Sequence, residues 1–178
     1  MAYYPGCPDA QTPFICTDCP VKELGDIRGI AVVKEDYAFT DITDETEWQA
    51  GINSNDIFVF TRTKGTLESA ENLVGGFGDT VEELDSYTHT VNVTIENYLD
   101  NCNAWNDIKR NQTWLLYYRT QTQGHISSVP VLIVPKAPIG EGKTTGIYRQ
   151  AMFKWTEEDI PCPADIPTGI FERCIQAS

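Results

Sequence analysis

Residues 87–95 read YTHTVNVTI. Tyr87, His89, Val91, Val93 and Ile95 fall at every second position. Thr88, Thr90, Asn92 and Thr94 lie between them, and Glu96 follows in the same phase. In an extended backbone, successive side chains point to opposite sides, so this alternation makes one apolar face and one polar face. It predicts a β-strand packed on a core from one side only. A helix requires recurrence at three and four residues and does not fit the pattern.

Strand signals continue on both sides. Ile27 to Val33 is apolar and β-branched, and DIFVFTRT spans 56–63. Downstream, TWLLYYRT (113–120), ISSVPVLIV (126–134) and TGIYRQAMFKW (145–155) read as three more strands. Pro130 predicts an edge or a bulge for the second of them. In the third, Ile147, Arg149, Ala151, Phe153 and Trp155 alternate with Tyr148, Gln150, Met152 and Lys154. Between 97 and 110 the period changes: Leu99, Cys102, Trp105 or Asn106, and Ile108 or Lys109 fall at three and four spacing, and Lys109 and Arg110 suit the end of a helix dipole. A shorter helix is read within 40–53, where Asp44 and Glu47 have capping-box spacing and Trp48 and Ile52 lie four apart.

Short strands with an inserted helix predict a mainly β chain, an antiparallel β-sandwich or barrel carrying one amphipathic helix at about 97–110. The domain is expected over 27–156. Pro- and Gly-punctuated stretches flank it, an N-terminal arm at 1–26 and a C-terminal extension at 157–178. Residues 64–86, with the glycines Gly75, Gly76 and Gly78 and several acids, read as one long loop.

The chain has 178 residues, 26 acids, 13 Lys and Arg, and a formal charge of −13. That size suits one domain. The charge opposes wrapping of duplex DNA and binding to anionic membranes. No apolar run is long enough for a spanning helix, and MAYYPGCPDA lacks the pattern of a signal peptide, so assembly in the cytoplasm of the producing cell is expected.

Enzyme signatures are thin. APIGEGKT at 137–144 resembles a loose phosphate-binding loop, but strict alternation follows where a helix is required, so it reads as a hairpin turn. His89 sits on the apolar side of its strand, and neither it nor His125 accompanies a nucleophile motif. Cys7, Cys16 and Cys19 are weak zinc candidates, lacking the second close pair that a structural site needs. Disulfides and free thiols stay open for all six cysteines. The acids at 41–47 and 79–85 lack EF-hand spacing and read as solvated faces. No catalytic residue, cofactor or metal is expected.

From Thr43 to Trp155 the chain resembles virion proteins of tailed bacteriophages, of the tail-tube (major tail protein) type. TDETEWQAGINSNDI, KGTLESAENLVGGFGDTVEELDSYTHTVNVTI, ENYLDNCNAWNDIK, TWLLYYRT and IYRQAMFKW carry the likeness. The resemblance implies a sandwich that self-assembles into six-membered rings, stacked into a hollow, DNA-conducting tube in the virion tail. Its partners would be further copies of itself and other virion proteins. Genomic DNA would pass without specific binding, and the negative charge would let it slide. Thr88, Thr90, Asn92, Thr94, Glu96, Tyr148, Gln150 and Lys154 become candidates for the lumen or subunit-contact face. Gly75, Gly76, Phe77, Gly78, Asp79, Glu82 and Glu83 become the candidate stacking loop. The alternatives are a head decoration, connector or baseplate protein, or a carbohydrate- or ligand-binding β-sandwich. Exposed Trp48, Trp105, Trp114 or Trp155 in a cleft would favour the last.

Overall fold

The structure, a computed structural model, describes residues 25–75, 78, 82–96, 101–111, 113–139 and 147–172. In chain order the elements are β1 (Gly29–Lys34), α1 (Glu45–Asn53), β2 (Ile57–Phe60), β3 (Thr63–Val74) and β4 (Glu83–Ile95). Then come α2 (Cys102–Arg110), β5 (Trp114–Arg119), β6 (Gly124–Ile126), β7 (Leu132–Lys136), β8 (Arg149–Glu157) and β9 (Pro163–Ala164). A 3₁₀ turn at Thr168–Phe171 follows.

The fold is mainly β, as expected. The described strands form two antiparallel sheets, ordered β2-β1-β5-β6-β9 and β3-β4-β8-β7, and they do not close into a barrel. Between the sheets lies one core. Ile30 and Val32 of β1 and Trp114, Leu116 and Tyr118 of β5 meet Val91, Val93 and Ile95 of β4 and Ala151, Phe153 and Trp155 of β8. α2 adds Trp105 and Ile108 to it, with Trp105 stacked on Phe60 at 4.5 Å between ring centroids.

The five-stranded sheet is buried on its other side too. Ala31, Val33, Ile57 and Tyr117 pack there under Trp48 and Ile52 of α1 and under Ile166, Ile170 and Phe171. Burial on both faces explains why AVV at 31–33 and WLLYY at 114–118 read as continuous apolar runs without alternation. The result is three layers, with the outward face of the four-stranded sheet left open.

Three expectations need correction. Residues 64–86 are not a loop. β3 and β4 pair in register from Thr63 opposite Ile95 to Asn72 opposite Ser86, then past a bulge to Val74 opposite Glu83. The alternation in β3 is masked because the hairpin runs beyond the core, so that from Thr66 onward almost every β3 residue is exposed. The stretch 126–134 is not one strand. β6 belongs to the five-stranded sheet and β7 to the four-stranded one, and Ser127 to Val131 crosses between them. Pro130, which cannot donate to a ladder, sits in that crossover. The inserted helix begins at Cys102 within the described residues, where Asn101 takes a left-handed backbone (φ 64°) and lets the chain turn in. Residues 97–100, with Leu99, lie outside them. The C-terminal stretch is irregular, but through Phe171 it packs on the sandwich, because Ile166, Ile170 and Phe171 cover the second core.

α1 follows the reading, with one change in its cap. The Asp44 carboxylate accepts from the Thr46 amide at 2.8 Å, closing the helix start. Glu47 turns away from Asp44 and accepts from the amides of Thr40 at 2.8 Å and Asp41 at 3.2 Å. The arm at 1–24 lies outside the described residues.

Candidate functional site

The open face is built by alternation on four strands. Register places Lys64, Thr94, Gln150 and Lys136 in one row across the sheet. Thr66, Asn92, Met152 and Val134 form the next row, and Glu68, Thr90, Lys154 and Leu132 the third. Ala70, Thr88 and Thr156 complete it. Strands at about 4.8 Å spacing make each four-residue row about 14 Å wide. Side chains lace the far end: Asn72 Nδ2 donates to Thr88 Oγ1 at 2.9 Å, and Thr88 and Thr156 share a hydroxyl hydrogen bond of 3.1 Å. Near the first row the face dips into a depression of about 290 Å³ lined by Asn92, Thr94, Lys136, Gln150 and Met152.

Of the candidate face residues, Thr88, Thr90, Asn92, Thr94, Gln150 and Lys154 thus share one surface. Tyr148 precedes β8 and is exposed beside it. Glu96 lies just past β4 and meets Arg62 at 3.4 Å in an exposed ion pair. β3 and β7 contribute Lys64, Thr66, Glu68, Lys136, Val134 and Leu132, which the sequence reading missed. Reading 64–86 as a loop concealed the first three. The charge balance of this face was also unexpected. Lys64, Lys136 and Lys154 stand against the single acid Glu68, so the acidic excess of the chain lies elsewhere.

Of the candidate stacking residues, Gly75 directly follows β3, Glu83 begins β4, and Glu82 and Gly78 are exposed at the hairpin end. Gly78 has φ +71°, a left-handed conformation that glycine adopts without cost. Gly76, Phe77 and Asp79 lie outside the described residues. The hairpin end carries exposed apolar side chains, Leu73, Val74 and Leu84, with Leu73 directly opposite Leu84.

A polar cluster gathers around one buried side chain of the hairpin, with Ser69 and Ser128 at its exposed margin. His89 is fully buried, and its Nδ1 shares a 2.8 Å hydrogen bond with Ser69 Oγ, its cross-strand partner. Its Nε2 lies 3.4 Å from both the Asp159 carbonyl and Glu157 Oε1. With the ring proton on Nε2 it faces both of these oxygens, and Ser69 then donates to Nδ1. The other Glu157 oxygen accepts from the amide of Ser128 at 3.3 Å and from its hydroxyl. Burial, and secondarily the Glu157 charge, pushes the Tyr118 phenol far above its usual range. Ser69, His89 and Glu157 come in the order of a nucleophilic triad. Yet Ser69 is held flat in a strand ladder directly opposite His89, and the depression lies on the other side of the sheet. The geometry suits fastening the hairpin to the end of β8.

The zinc candidates Cys7, Cys16 and Cys19 lie outside the described residues. Cys102 and Cys162 are exposed, free thiols. Among the described residues no three His, Cys, Asp or Glu gather as metal ligands. The first acidic group is occupied locally: besides the Asp44 and Glu47 contacts, Asp41 accepts from the Thr43 amide at 2.9 Å and hydroxyl at 2.7 Å. β8, and not a helix, follows the phosphate-loop-like stretch, of which residues 140–144 lie outside the described ones. No family model, no curated protein and no solved structure matches the chain.

Proposed function

We propose that this chain is a virion structural protein, a tail-tube subunit that assembles with copies of itself into stacked rings around a DNA channel. The observation that carries the reading is the β3–β4 hairpin. It extends past the core and ends in exposed Leu73, Val74 and Leu84, three neighbouring apolar side chains on one ribbon end; Ile139 and Ile160 are exposed elsewhere. An isolated two-stranded ribbon is only marginally stable in water, and exposed leucines at its end favour contact with another surface. The four-stranded sheet, covered on one side by the core and open on the other, would wall the channel. Its outer strands, β7 and the part of β3 beyond the Gly65 bridge to Ile27, offer edges to neighbouring copies. The resemblance over 43–155 points the same way. The ligand-binding alternative asked for an exposed tryptophan, and all four tryptophans are buried.

Light scattering followed by negative-stain electron microscopy tests this. Rings or hollow tubes from the purified chain, abolished by Leu73→Asp with Leu84→Asp while the monomer stays folded, are the expected result. Assembly that is indifferent to the hairpin end, or a persistent monomer at high concentration even with virion tail components added, rejects it. A decoration or connector role would then lead.

A further inference from the structure

Among the described residues, most cations are engaged. Arg28 meets Asp26, Lys34 meets Asp56, Arg62 meets Glu96, Arg110 meets Asp107 and Arg119 meets Glu172. Lys109 and Arg149 are also engaged. Among the described residues, Lys64, Lys136 and Lys154 make no ion pair, and all three stand on the open sheet face. With 26 acids available against 13 cations, this is no shortage of partners. The face holds one acid, Glu68, and otherwise threonine, asparagine and glutamine beside Leu132, Val134, Met152 and Ala70.

We propose that the open face of β3-β4-β8-β7 contacts the phosphate backbone of nucleic acid. Lys64, Lys136 and Lys154 meet phosphates, and Thr94, Gln150 and Asn92 donate hydrogen bonds around the depression. Phosphate contacts are made by this set of side chains, and they carry no sequence information. Protein interfaces differ: their cores are depleted in lysine and enriched in aromatic side chains, and the ladder residues of this face include no aromatic. The binding is weak by design, because the net charge of −13 repels DNA at long range while three local cations act within about a Debye length. The inference rests on the tube reading for its setting and departs from a uniformly repelling lumen. A wall with sparse phosphate contacts guides DNA without holding it.

The test is fluorescence anisotropy of a labelled duplex of about 30 base pairs, titrated with the full chain at about 25 mM and about 100 mM salt. Three proteins are compared: wild type, Lys64→Gln/Lys136→Gln/Lys154→Gln, and the equal-charge control Arg28→Gln/Lys109→Gln/Arg110→Gln. Wild type is expected to bind at low salt, with a log–log salt slope near about −2 to −3, since each phosphate contact contributes about −0.9. The face variant should bind at least about tenfold more weakly with a nearly flat slope, and the control should stay within about threefold of wild type. No binding by wild type at low salt overturns the inference, as does an equal loss in both variants. It is also overturned if the face variant changes self-association by light scattering and leaves DNA binding unchanged, which would assign the face to a protein partner. Lost DNA binding with tubes intact in electron microscopy supports the inference independently of assembly. Absence of rings and tubes from the wild-type chain with DNA binding retained sinks the tube reading alone.

Discussion

Ile27 and Gly65 exchange both backbone hydrogen bonds: the Ile27 amide donates to the Gly65 carbonyl at 3.0 Å, and the Gly65 amide donates back at 3.1 Å. Gly65 also pairs with Val93 in the four-stranded sheet, while Ile27 leads directly into β1 of the five-stranded sheet. This bridge joins the two sheets at the foot of the hairpin. A Cβ on Gly65 would stand 2.6 Å from the Asn92 carbonyl oxygen, which is backbone and cannot swing aside. Gly65→Ala should therefore destabilise the fold by about 1–3 kcal/mol, as overpacking does. Chemical denaturation checks it; a midpoint equal to wild type would show that the sheets yield at the bridge.

Glu157 fastens the hairpin from the end of β8. Replacing it with alanine strands His89 Nε2 beside a single carbonyl and leaves the Ser128 hydroxyl without its carboxylate. Glu157→Ala should cost about 1–3 kcal/mol. Hydrogen exchange should then quicken at Ser69 and His89 first, before the amides of β1 and β5. Glu157→Gln, which keeps an acceptor for Ser128, should recover most of the loss. Uniform exchange across the chain would assign Glu157 a global role instead.

Tyr118 buries a hydroxyl that finds no hydrogen-bond partner among the described residues. Removing an unsatisfied polar atom is nearly neutral, so Tyr118→Phe should shift stability at neutral pH by less than about 1 kcal/mol. The alkaline side differs. The folded state holds this phenol protonated above its unfolded value of about 10, so the unfolded state binds fewer protons there and stability falls as pH rises past about 10. The phenylalanine variant should lose that part of the slope, measured by denaturation at successive pH values. An unchanged slope would transfer the effect to Tyr117, whose phenol burial also raises.

Asp56 works on the acid side. Hydrogen bonds from Lys34 Nζ at 2.5 Å and from Ser54 Oγ at 2.5 Å hold its carboxyl below the usual range. A depressed folded value gives stability that is present above the unfolded value of about 3.9 and lost as pH falls below it. Asp56→Asn should lower stability at neutral pH and narrow the gap to wild type at about pH 2–3. A constant gap across that window would mean the charge is irrelevant and only packing between β1 and the turn before β2 changed.

The second core should be as sensitive as the first, although it lies outside the sandwich. Trp48 is fully buried, donates its indole N–H to the Ile42 carbonyl at 2.8 Å, and contacts Phe39, Tyr117 and Phe171. Trp48→Ala should cost about 3–5 kcal/mol. Thermal unfolding with a loss under about 1 kcal/mol would show α1 to be an appendage and not a layer.

How much of this was legible in the chain can be judged residue by residue. The alternation from Tyr87 to Ile95 and from Arg149 to Trp155 was enough to place two strands, each with one wet and one dry face, because a half-buried strand writes its environment into its sequence. Asp44, Trp48 and Ile52 likewise located α1, since a cap and a four-residue spacing are local. The apolar runs at 31–33 and 114–118 announced buried strands without saying that α1 and Phe171 cover their second side. That needed three layers brought together from distant parts of the chain. β3 was invisible for the opposite reason: beyond Gly65 neither of its faces enters the core, so no hydrophobic period marks it, and only pairing with β4 makes it a strand. The same pairing sets Lys64, Lys136 and Lys154 on one face and Ser69, His89 and Glu157 in one cluster. Register is a property of two strands at once, and no single stretch of sequence contains it.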